Sequence, residues 1–436
     1  MQGWVSDDAA ESEAAQQRLR TAIRTNRWII AALVVAVASP LFIHYTGFKP
    51  AKELSGLTYP KIFKYSYRTT PGRAPHHGID FSQIWLSAGR LSAGQPVYHP
   101  VDKAKWRRRW SSTYHPVIHW LYVPLGRVAF PTALVVHNLA GIGLLLLVSA
   151  LALRRAGCTQ AIPSVLVAIL AAMYLTPVGL FHLERGQLDV FVAASIVCVV
   201  TAFVRGGSAW AIAAGAISML KVQAWIFVGF FWLVAAALWG LRDRNVWWVP
   251  ATILGLNLIF LYQVIDWVPS FLYVANNTSY FGPTFTRILP RWFAFGLPFV
   301  STALVGVCAY AALAARGQLA DTDARRQLLA RISFPFAAAL TLQTVCGTPV
   351  THDYRLIALL GLLPVLATWC ARGEGVPAWL RRASCIGFGL MLMFALRVAP
   401  LTTLSFLNVA QLLLAFSLLF LLATLTLAVR RGTTSA

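Results

Sequence analysis

Ionisable side chains of the kinds needed for proton transfer and anion binding recur at four places in the chain. A carboxylate can accept a proton, a histidine titrates near neutral pH, and Lys and Arg bind phosphate groups. The four places are Asp80; Glu184, Arg185, Gln187 and Asp189; Lys221 and Gln223; and His352, Asp353 and Arg355. If the fold brings them together, they form a site for an anionic, phosphate-bearing substrate at which a proton can also be transferred.

The segments that must position these groups are apolar. Of the 436 residues, 58% are hydrophobic and 12% are charged, whereas an ordinary soluble domain has about 25% charged residues. This composition excludes a soluble enzyme and predicts a chain that crosses a membrane many times. Apolar runs that approach the roughly 20 residues needed for a span lie near 28–48, 131–153, 161–183, 189–205, 208–223, 225–240, 247–265, 293–315, 332–350, 355–371, 383–399 and 404–429.

The basic residues indicate the orientation of these runs. The chain has 37 Lys and Arg against 15 Asp and Glu, a formal charge of +22. With the N-terminus in the cytoplasm, the arginines concentrate in the cytoplasmic loops and the short outer turns hold few of them, as the positive-inside rule requires. Both termini are then cytoplasmic. The four groups of ionisable side chains all fall on the external face.

The predicted fold class is an all-α polytopic membrane protein, a single bundle of about twelve transmembrane helices. Residues 1–27 are expected to form a cytoplasmic N-terminal segment, 28–429 the transmembrane domain, and 430–436 a cytoplasmic tail. Within the domain, 49–130 is a long external loop that carries Asp80. Its apolar stretches 81–91 and 117–130 are too short to span, and they are predicted to lie along the outer membrane surface as amphipathic helices.

Asp80 also has a structural explanation, because Asp80-Phe-Ser-Gln83 would make a helix N-cap with Gln at the third helical position. The two roles can coexist if one carboxylate oxygen caps the helix. Asp321-Thr322-Asp323 has the spacing of a metal-binding aspartate pair. It lies in a predicted cytoplasmic loop, however, and is better explained as acids that start a helix.

The three candidate cations have structural explanations too. Lys221 could simply extend its amine to the membrane surface. Arg185 could form a salt bridge with Glu184 or Asp189. His352 could cap a helix or pack in a core. These alternatives stay open at the level of the sequence.

Five motifs in a fixed order resemble one family. They are GIDFSQIWLSAGRLSAGQPVY (78–98), YHPVIHWLYVPLG (114–126), ERGQLDVFV (184–192), KVQAWIF (221–227) and THDYRL (351–356). In this order they resemble the bacterial GT-C-type glycosyltransferases of glycosyltransferase family 87. That family includes polyprenol-phosphate-mannose-dependent mannosyltransferases and arabinofuranosyltransferases of cell-envelope glycolipids.

The resemblance implies a GT-C-like fold in a bacterial cytoplasmic membrane. It also implies a catalytic site on the external face and a lipid-linked monosaccharide phosphate as the sugar donor. GQLD (186–189) resembles the family's GQxN-like turn, with Asp189 in place of Asn. KVQ (221–223) resembles its Lys-Pro segment, and YHP (114–116) its Tyr-Pro-Pro motif.

The reaction implied is the inverting transfer of a sugar, with mannose favoured, to a cell-envelope glycolipid or polysaccharide. Asp80, at the family's early-loop aspartate, is the expected catalytic base, and Arg185, Lys221 and His352 are expected to hold the donor phosphate. No metal or other cofactor is expected. The expected partners are the polyprenyl-phosphate donor, the acceptor and membrane lipids, without nucleic acid. Further substrate contacts are expected from Gln187, Asp189, Tyr114, Gln223, Asp353 and Tyr354.

Two other functions fit the same residues. One is an arabinofuranosyltransferase of the same type, and the other is a transporter or flippase of a lipid-linked sugar. Transporters usually show internal repeats and helices broken near the membrane midplane. No repeat is apparent in this sequence, and its polar residues are concentrated at one face, which favours an enzyme.

Overall fold

The computed structural model describes residues 79–98, 114–241, 243–277, 283–347, 353–372, 375–396 and 406–430. Every regular element in these ranges is helical. Short 3₁₀ helices cover Leu125–Arg127, Thr159–Ala161, Phe285–Arg287 and Asp353–Gly361. The α-helices are α1 (Ile79–Ser92), α2 (Pro116–Tyr122), α3 (Phe130–Arg155), α4 (Ile162–Leu175), α5 (Pro177–Arg185), α6 (Asp189–Arg205), α7 (Ser208–Ser218), α8 (Val222–Trp239), α9 (Arg244–Ile259), α10 (Leu261–Asn277), α11 (Arg291–Ala314), α12 (Thr322–Cys346), α13 (Leu362–Arg372), α14 (Ala378–Ala395) and α15 (Phe406–Val429).

Polar residues start several of these helices. Thr176 accepts a hydrogen bond from the backbone N–H of Gly179 and so caps α5. Asp321 accepts from the N–H groups of Asp323 and Ala324, at 2.8 and 3.1 Å, and so caps α12. A side-chain oxygen in this position satisfies amide groups that have no partner within the helix. The prediction that the Asp321–Asp323 pair starts a helix is therefore confirmed.

Six helices are long and apolar enough to cross a membrane: α3, α8, α11, α12, α14 and α15. The pairs α4/α5 and α9/α10 are bent by 74° and 96°, and counting each pair as one span raises the total to eight. Helices also form at the predicted spans 189–205, 208–223 and 355–371, but with 17 residues or fewer each is shorter than the six helices above. The first predicted span, 28–48, lies outside the described residues. The described part of the chain is thus that of a multi-pass, all-helical membrane protein with six to eight candidate spans.

The core of the bundle is built around α6 and α12. Nearly every residue of α6 is buried, and 94% of the apolar window of α12 is buried inside the protein. The corresponding fractions are 33% for α15 and 28% for α14. Large apolar side chains such as Leu258, Ile259 and Leu422 are exposed on the outer helices. Such surfaces are expected of helices that face lipid, because lipid tails are as apolar as the side chains.

The helices of the first loop pack differently from the prediction. Helix α1 forms where expected, but its apolar side is buried by protein, with Phe81, Ile84 and Ala88 fully covered. The predicted helix over 117–130 is interrupted after Tyr122, where Pro124 lacks the N–H that a continuous helix needs. Gly126 then packs on Gly89 so closely that a Cβ atom would lie 2.6 Å from a backbone nitrogen. Helix α1 is also joined to the bundle, because Phe81 packs on His137 and Gly186, so the described part of the first loop does not only rest on the membrane surface.

Candidate functional site

The turn between α5 and α6 brings two predicted site residues next to α1. Helix α5 ends at Arg185, and Gly186 follows in the left-handed conformation with φ of 64°. A Cβ atom on Gly186 would lie 2.5 Å from Cβ of Phe81 and 2.6 Å from Cδ1 of Leu134. Only glycine adopts this conformation readily and leaves room for so close a contact. The turn can therefore approach the first residues of α1, where Asp80 lies.

Asp80 and Arg185 form a two-point ion pair. Nε of Arg185 donates to Oδ2 of Asp80 at 2.6 Å, and Nη2 donates to Oδ1 at 3.3 Å. The side chains keep 24% (Arg185) and 16% (Asp80) of their surface exposed. Asp80 is the second residue of α1 and not its cap. Its carboxylate is thus directed to a cation 105 residues away in the sequence, and the interpretation of Asp80 as an N-cap is wrong.

A second ion pair, between Lys221 and Asp189, lies deeper. Nζ of Lys221 donates to Oδ2 of Asp189 at 2.6 Å, and the two side chains are only 7% and 1% exposed. Asp189 is the first residue of α6, and Lys221 is the residue that precedes α8. The amine of Lys221 is therefore bound to a buried carboxylate and does not extend to the membrane surface.

Tyr114 lies in the electrostatic field of both pairs. Burial raises the pKa of its phenol well above the ordinary value, and the nearby carboxylates of Asp80 and Asp189 raise it further. The cations Arg355 and Arg185 act in the opposite direction. Tyr114 is therefore a neutral hydroxyl at physiological pH. We call the following six residues the charged cluster: the acidic and basic residues Asp80, Arg185, Asp189, Lys221 and Arg355, together with the neutral Tyr114 among them.

The remaining predicted site residues take different positions. Gln187 is buried in the turn beside Gly186, and Gln223 is half-buried in the first turn of α8. His352 lies outside the described residues. Asp353 and Tyr354 begin a 3₁₀ helix, and their side chains lie outside the described part of the chain.

The α5–α6 turn is supported by three residues that the sequence did not single out: Tyr122, His137 and Asn138. Nδ1 of His137 lies 2.7 Å from the hydroxyl of Tyr122, and Nε2 lies 3.3 Å from the carbonyl oxygen of Gln187. Because a carbonyl only accepts, Nε2 carries the hydrogen and Nδ1 accepts from Tyr122. Asn138 donates to the carbonyl of Leu183 at 3.0 Å. The adjacent polar pair His137-Asn138 inside an apolar helix was the signal that could have identified this role.

A second group of histidines lies at the start of α2. His115 caps this helix through Nδ1, and its Nε2 lies 3.3 Å from Oδ1 of Asn257. Burial lowers the pKa of His115 to about 4 and that of His119 to about 3. Both imidazoles are thus neutral at physiological pH. Among the residues that the structure describes, the positive charge of the site therefore comes from Lys and Arg.

Comparison with protein-family models, with curated proteins and with solved structures gives no match to this chain. The chemistry of the charged cluster is therefore argued from its own residues. Within the part of the chain that the structure describes, no three His, Cys, Asp or Glu side chains lie close enough together to hold a metal ion. The expectation of a metal-independent reaction stays a prediction.

Gly186→Ala should destabilise the protein because it adds a Cβ in a left-handed conformation and forces it against Phe81. The backbone strain alone is worth about 1–3 kcal/mol, and the contact with Phe81 adds to it. Gly94→Ala is the matched control, since Gly94 has φ of 68° with no atom within 4 Å of the added Cβ. In thermal unfolding of the detergent-solubilised protein, Gly186→Ala should lower the midpoint clearly more than Gly94→Ala. Equal shifts would mean that the contact with α1 contributes nothing.

Proposed function

We propose that this chain is an inverting glycosyltransferase of the bacterial cytoplasmic membrane. Its donor is a polyprenyl-phosphate-linked monosaccharide, with mannose favoured, and its acceptor is a cell-envelope glycolipid or polysaccharide. The observation that carries the proposal is the two-point pair between Asp80 and Arg185. It places a carboxylate next to a cation suited to phosphate, at a partly exposed position.

This pair suits the two halves of a glycosyl transfer. Asp80 accepts the proton of the acceptor hydroxyl while that oxygen bonds to the anomeric carbon of the sugar. The bond between the anomeric carbon and the phosphate oxygen breaks on the opposite face, and its electron pair stays on the phosphate. A cation at that oxygen stabilises the charge that develops in the transition state. Among the cations in the part of the chain that the structure describes, Arg185 suits this role best, because it is partly exposed and lies next to Asp80.

The pairing also suggests how substrate binding prepares the base. The guanidinium of Arg185 binds both carboxylate oxygens of Asp80. A donor phosphate offers the same planar fork a competing two-point partner. Donor binding is therefore expected to draw Arg185 away from Asp80. The carboxylate is then free to accept a proton.

The deeper pair has a different role in this proposal. Asp189 and Lys221 are almost fully buried and bind each other. They connect the start of α6 to the residue ahead of α8, and because their two charges offset each other, the pair acts mainly by holding these helix ends together. Lys221 is then a positioning residue that fixes the start of α6, next to the turn that carries Arg185. His352, Gln187 and Gln223 remain proposed substrate contacts.

The topology of the proposal is a GT-C-like arrangement of about twelve spans with both termini in the cytoplasm. Two observations support its orientation. The charged cluster lies at the Lys221 end of α8, whereas Arg325 donates to the carbonyl of Trp239 at the other end. The guanidinium carbon of Arg326 lies 4.9 Å from the centre of the Trp239 ring. Arginines at this second end suit the cytoplasmic side, which leaves the charged cluster external.

A transporter of the same lipid-linked sugar is the second candidate. The strong bends between α4 and α5 and between α9 and α10 favour it, since broken helices are common in transporters. Proteoliposomes that contain a radiolabelled polyprenyl-phosphate sugar separate the two functions. A glycosyltransferase moves the label to an added lipid-extract acceptor. A transporter moves the intact donor to the other leaflet and forms no labelled product.

Arg185→Gln should raise the KM for the donor by about 10- to 150-fold, the factor that corresponds to a lost hydrogen bond to a charged group of about 1.5–3 kcal/mol. The matched control is Arg127→Gln, because Arg127 is exposed in the neighbouring 3₁₀ helix. Initial rates with a panel of radiolabelled polyprenyl-phosphate sugars give both constants. An unchanged KM in Arg185→Gln would remove this residue from the phosphate site.

A further inference from the structure

Three arginines meet at the end of the bundle opposite to the charged cluster. Nη2 of Arg316 donates to the carbonyl of Val429 at 2.7 Å, and Nη1 of Arg331 donates to the carbonyl of Arg430 at 3.1 Å. These two carbonyls belong to neighbouring residues at the C-terminus of α15. The guanidinium groups of Arg316 and Arg331 therefore lie side by side, and Arg430 itself adds a third. We call these three residues the arginine triad.

The distance between the two sites follows from α8. Lys221 of the charged cluster precedes its first residue, and Arg325 contacts its last residue, Trp239. Its 18 residues span about 27 Å at the usual helical rise. Helix α12 runs antiparallel to α8, with Phe336 stacked on Phe231, so Arg331 lies less than two turns from Arg325 on the side toward the charged cluster. That offset of about 9 Å leaves roughly 18 Å between the two sites along the bundle. The arginine triad is thus a separate feature of the other membrane face, which the sequence predicts to be cytoplasmic.

Helix capping accounts for only part of the triad. The C-terminus of a helix carries roughly half a negative charge, and the bonds to its last carbonyls use one donor of Arg316 and one of Arg331. Three full positive charges remain. In the part of the chain that the structure describes, none of the three side chains pairs with a carboxylate. Like charges held together in this way repel each other unless an anion joins them.

Arg331 is the most buried member of the triad. Its surface is only 9% exposed, and its Nε has no hydrogen-bond partner. The indole N–H of Trp369 donates to its carbonyl at 2.7 Å. The guanidinium also packs against Gly375, where a Cβ atom would lie 3.2 Å from Nη2. A buried, fixed guanidinium with an unused donor is costly without a partner.

We propose that the arginine triad is a binding site for a phosphate group, and that its ligand is the headgroup of an anionic phospholipid. Guanidinium groups recognise phosphate through paired N–H donors. The cytoplasmic leaflet of a membrane supplies anionic headgroups at the depth where helix ends lie, and basic pockets between helices bind them. This site is independent of the proposed glycosyl transfer.

The test uses the full chain in neutral detergent with phosphatidylglycerol, and phosphatidylcholine for comparison. Native mass spectrometry measures how much lipid each variant retains. Arg430→Ala is the informative change, because it removes an exposed guanidinium but keeps the backbone carbonyl that Arg331 holds. Arg316→Ala is the second variant. The matched control is Arg382→Ala, since Arg382 is an exposed arginine on α14 outside the triad.

Wild-type protein should retain phosphatidylglycerol in preference to phosphatidylcholine. Arg430→Ala and Arg316→Ala should each weaken this binding by about 10-fold or more, and Arg382→Ala should leave it unchanged. Competition by an excess of inorganic phosphate would support the phosphate site and identify free phosphate as a ligand. Equal weakening by Arg382→Ala, or equal retention of both lipids by the wild type, would overturn the proposal.

Discussion

Asp80→Asn is expected to leave the protein folded and to slow glycosyl transfer by about 10²–10⁴-fold, the usual contribution of a positioned general base. Asparagine has nearly the same size as aspartate and can still accept a hydrogen bond from Arg185. It cannot take the proton of the acceptor hydroxyl. The expected loss therefore falls on kcat, and the change in the KM for the donor should be small.

The matched control for this experiment is Asp266→Asn. Asp266 is an exposed carboxylate on α10, so its substitution removes the same charge away from the charged cluster. Both variants should show the thermal midpoint of the wild type. Wild-type turnover by Asp80→Asn would eliminate Asp80 as the base, and Asp353 would become the next carboxylate to test.

Lys221→Met should destabilise the protein by about 3–5 kcal/mol, because it leaves the carboxylate of Asp189 buried and unpaired. Asp189→Asn should cost a similar amount, since it leaves the ammonium of Lys221 without a counter-charge. The double variant Asp189→Asn/Lys221→Met contains neither charge. Its free energy of unfolding should therefore lie closer to that of the wild type than the sum of the single effects predicts.

Denaturant or thermal unfolding of the four proteins in the same detergent measures this coupling. Additive single effects would contradict the buried pair. The double variant also tests the catalytic proposal separately. If it folds normally and still uses donor, the charge of Lys221 is not needed for phosphate binding; if it folds and loses donor binding, Lys221 acts on the substrate as well as on the fold.

The location of the charged cluster was predictable from the sequence, but its pairing was not. The apolar runs and the arginine bias place Asp80, Arg185, Asp189 and Lys221 at helix ends on one predicted side of the membrane. Which cation meets which carboxylate depends on tertiary packing, here on the contact between Gly186 and α1. A local pattern could not show that contact. It suggested instead that Asp80 caps its own helix.

The number of spans was also not predictable from the local sequence pattern. Hydrophobicity gives the extent of an apolar run, whereas a bend inside the run divides it into two helices. The bend between α4 and α5 has a visible cause in Pro177, which disfavours helical geometry in the residue before it. The bend of 96° between α9 and α10 occurs near Phe260, where no proline or glycine stands in the sequence. The residues at this bend therefore give no local signal for it.

The separation of 105 residues between Asp80 and Arg185 also fixes the order in which the site can assemble during synthesis. At the usual 5–20 residues per second, the ribosome needs roughly 5–20 s to add the intervening chain. During that interval α1 has been made, but the turn that covers Phe81 and neutralises Asp80 has not. The part of the apolar side of α1 that α3 and the α5–α6 turn cover therefore stays open until those segments have been made. A factor that shields this segment would act in that interval.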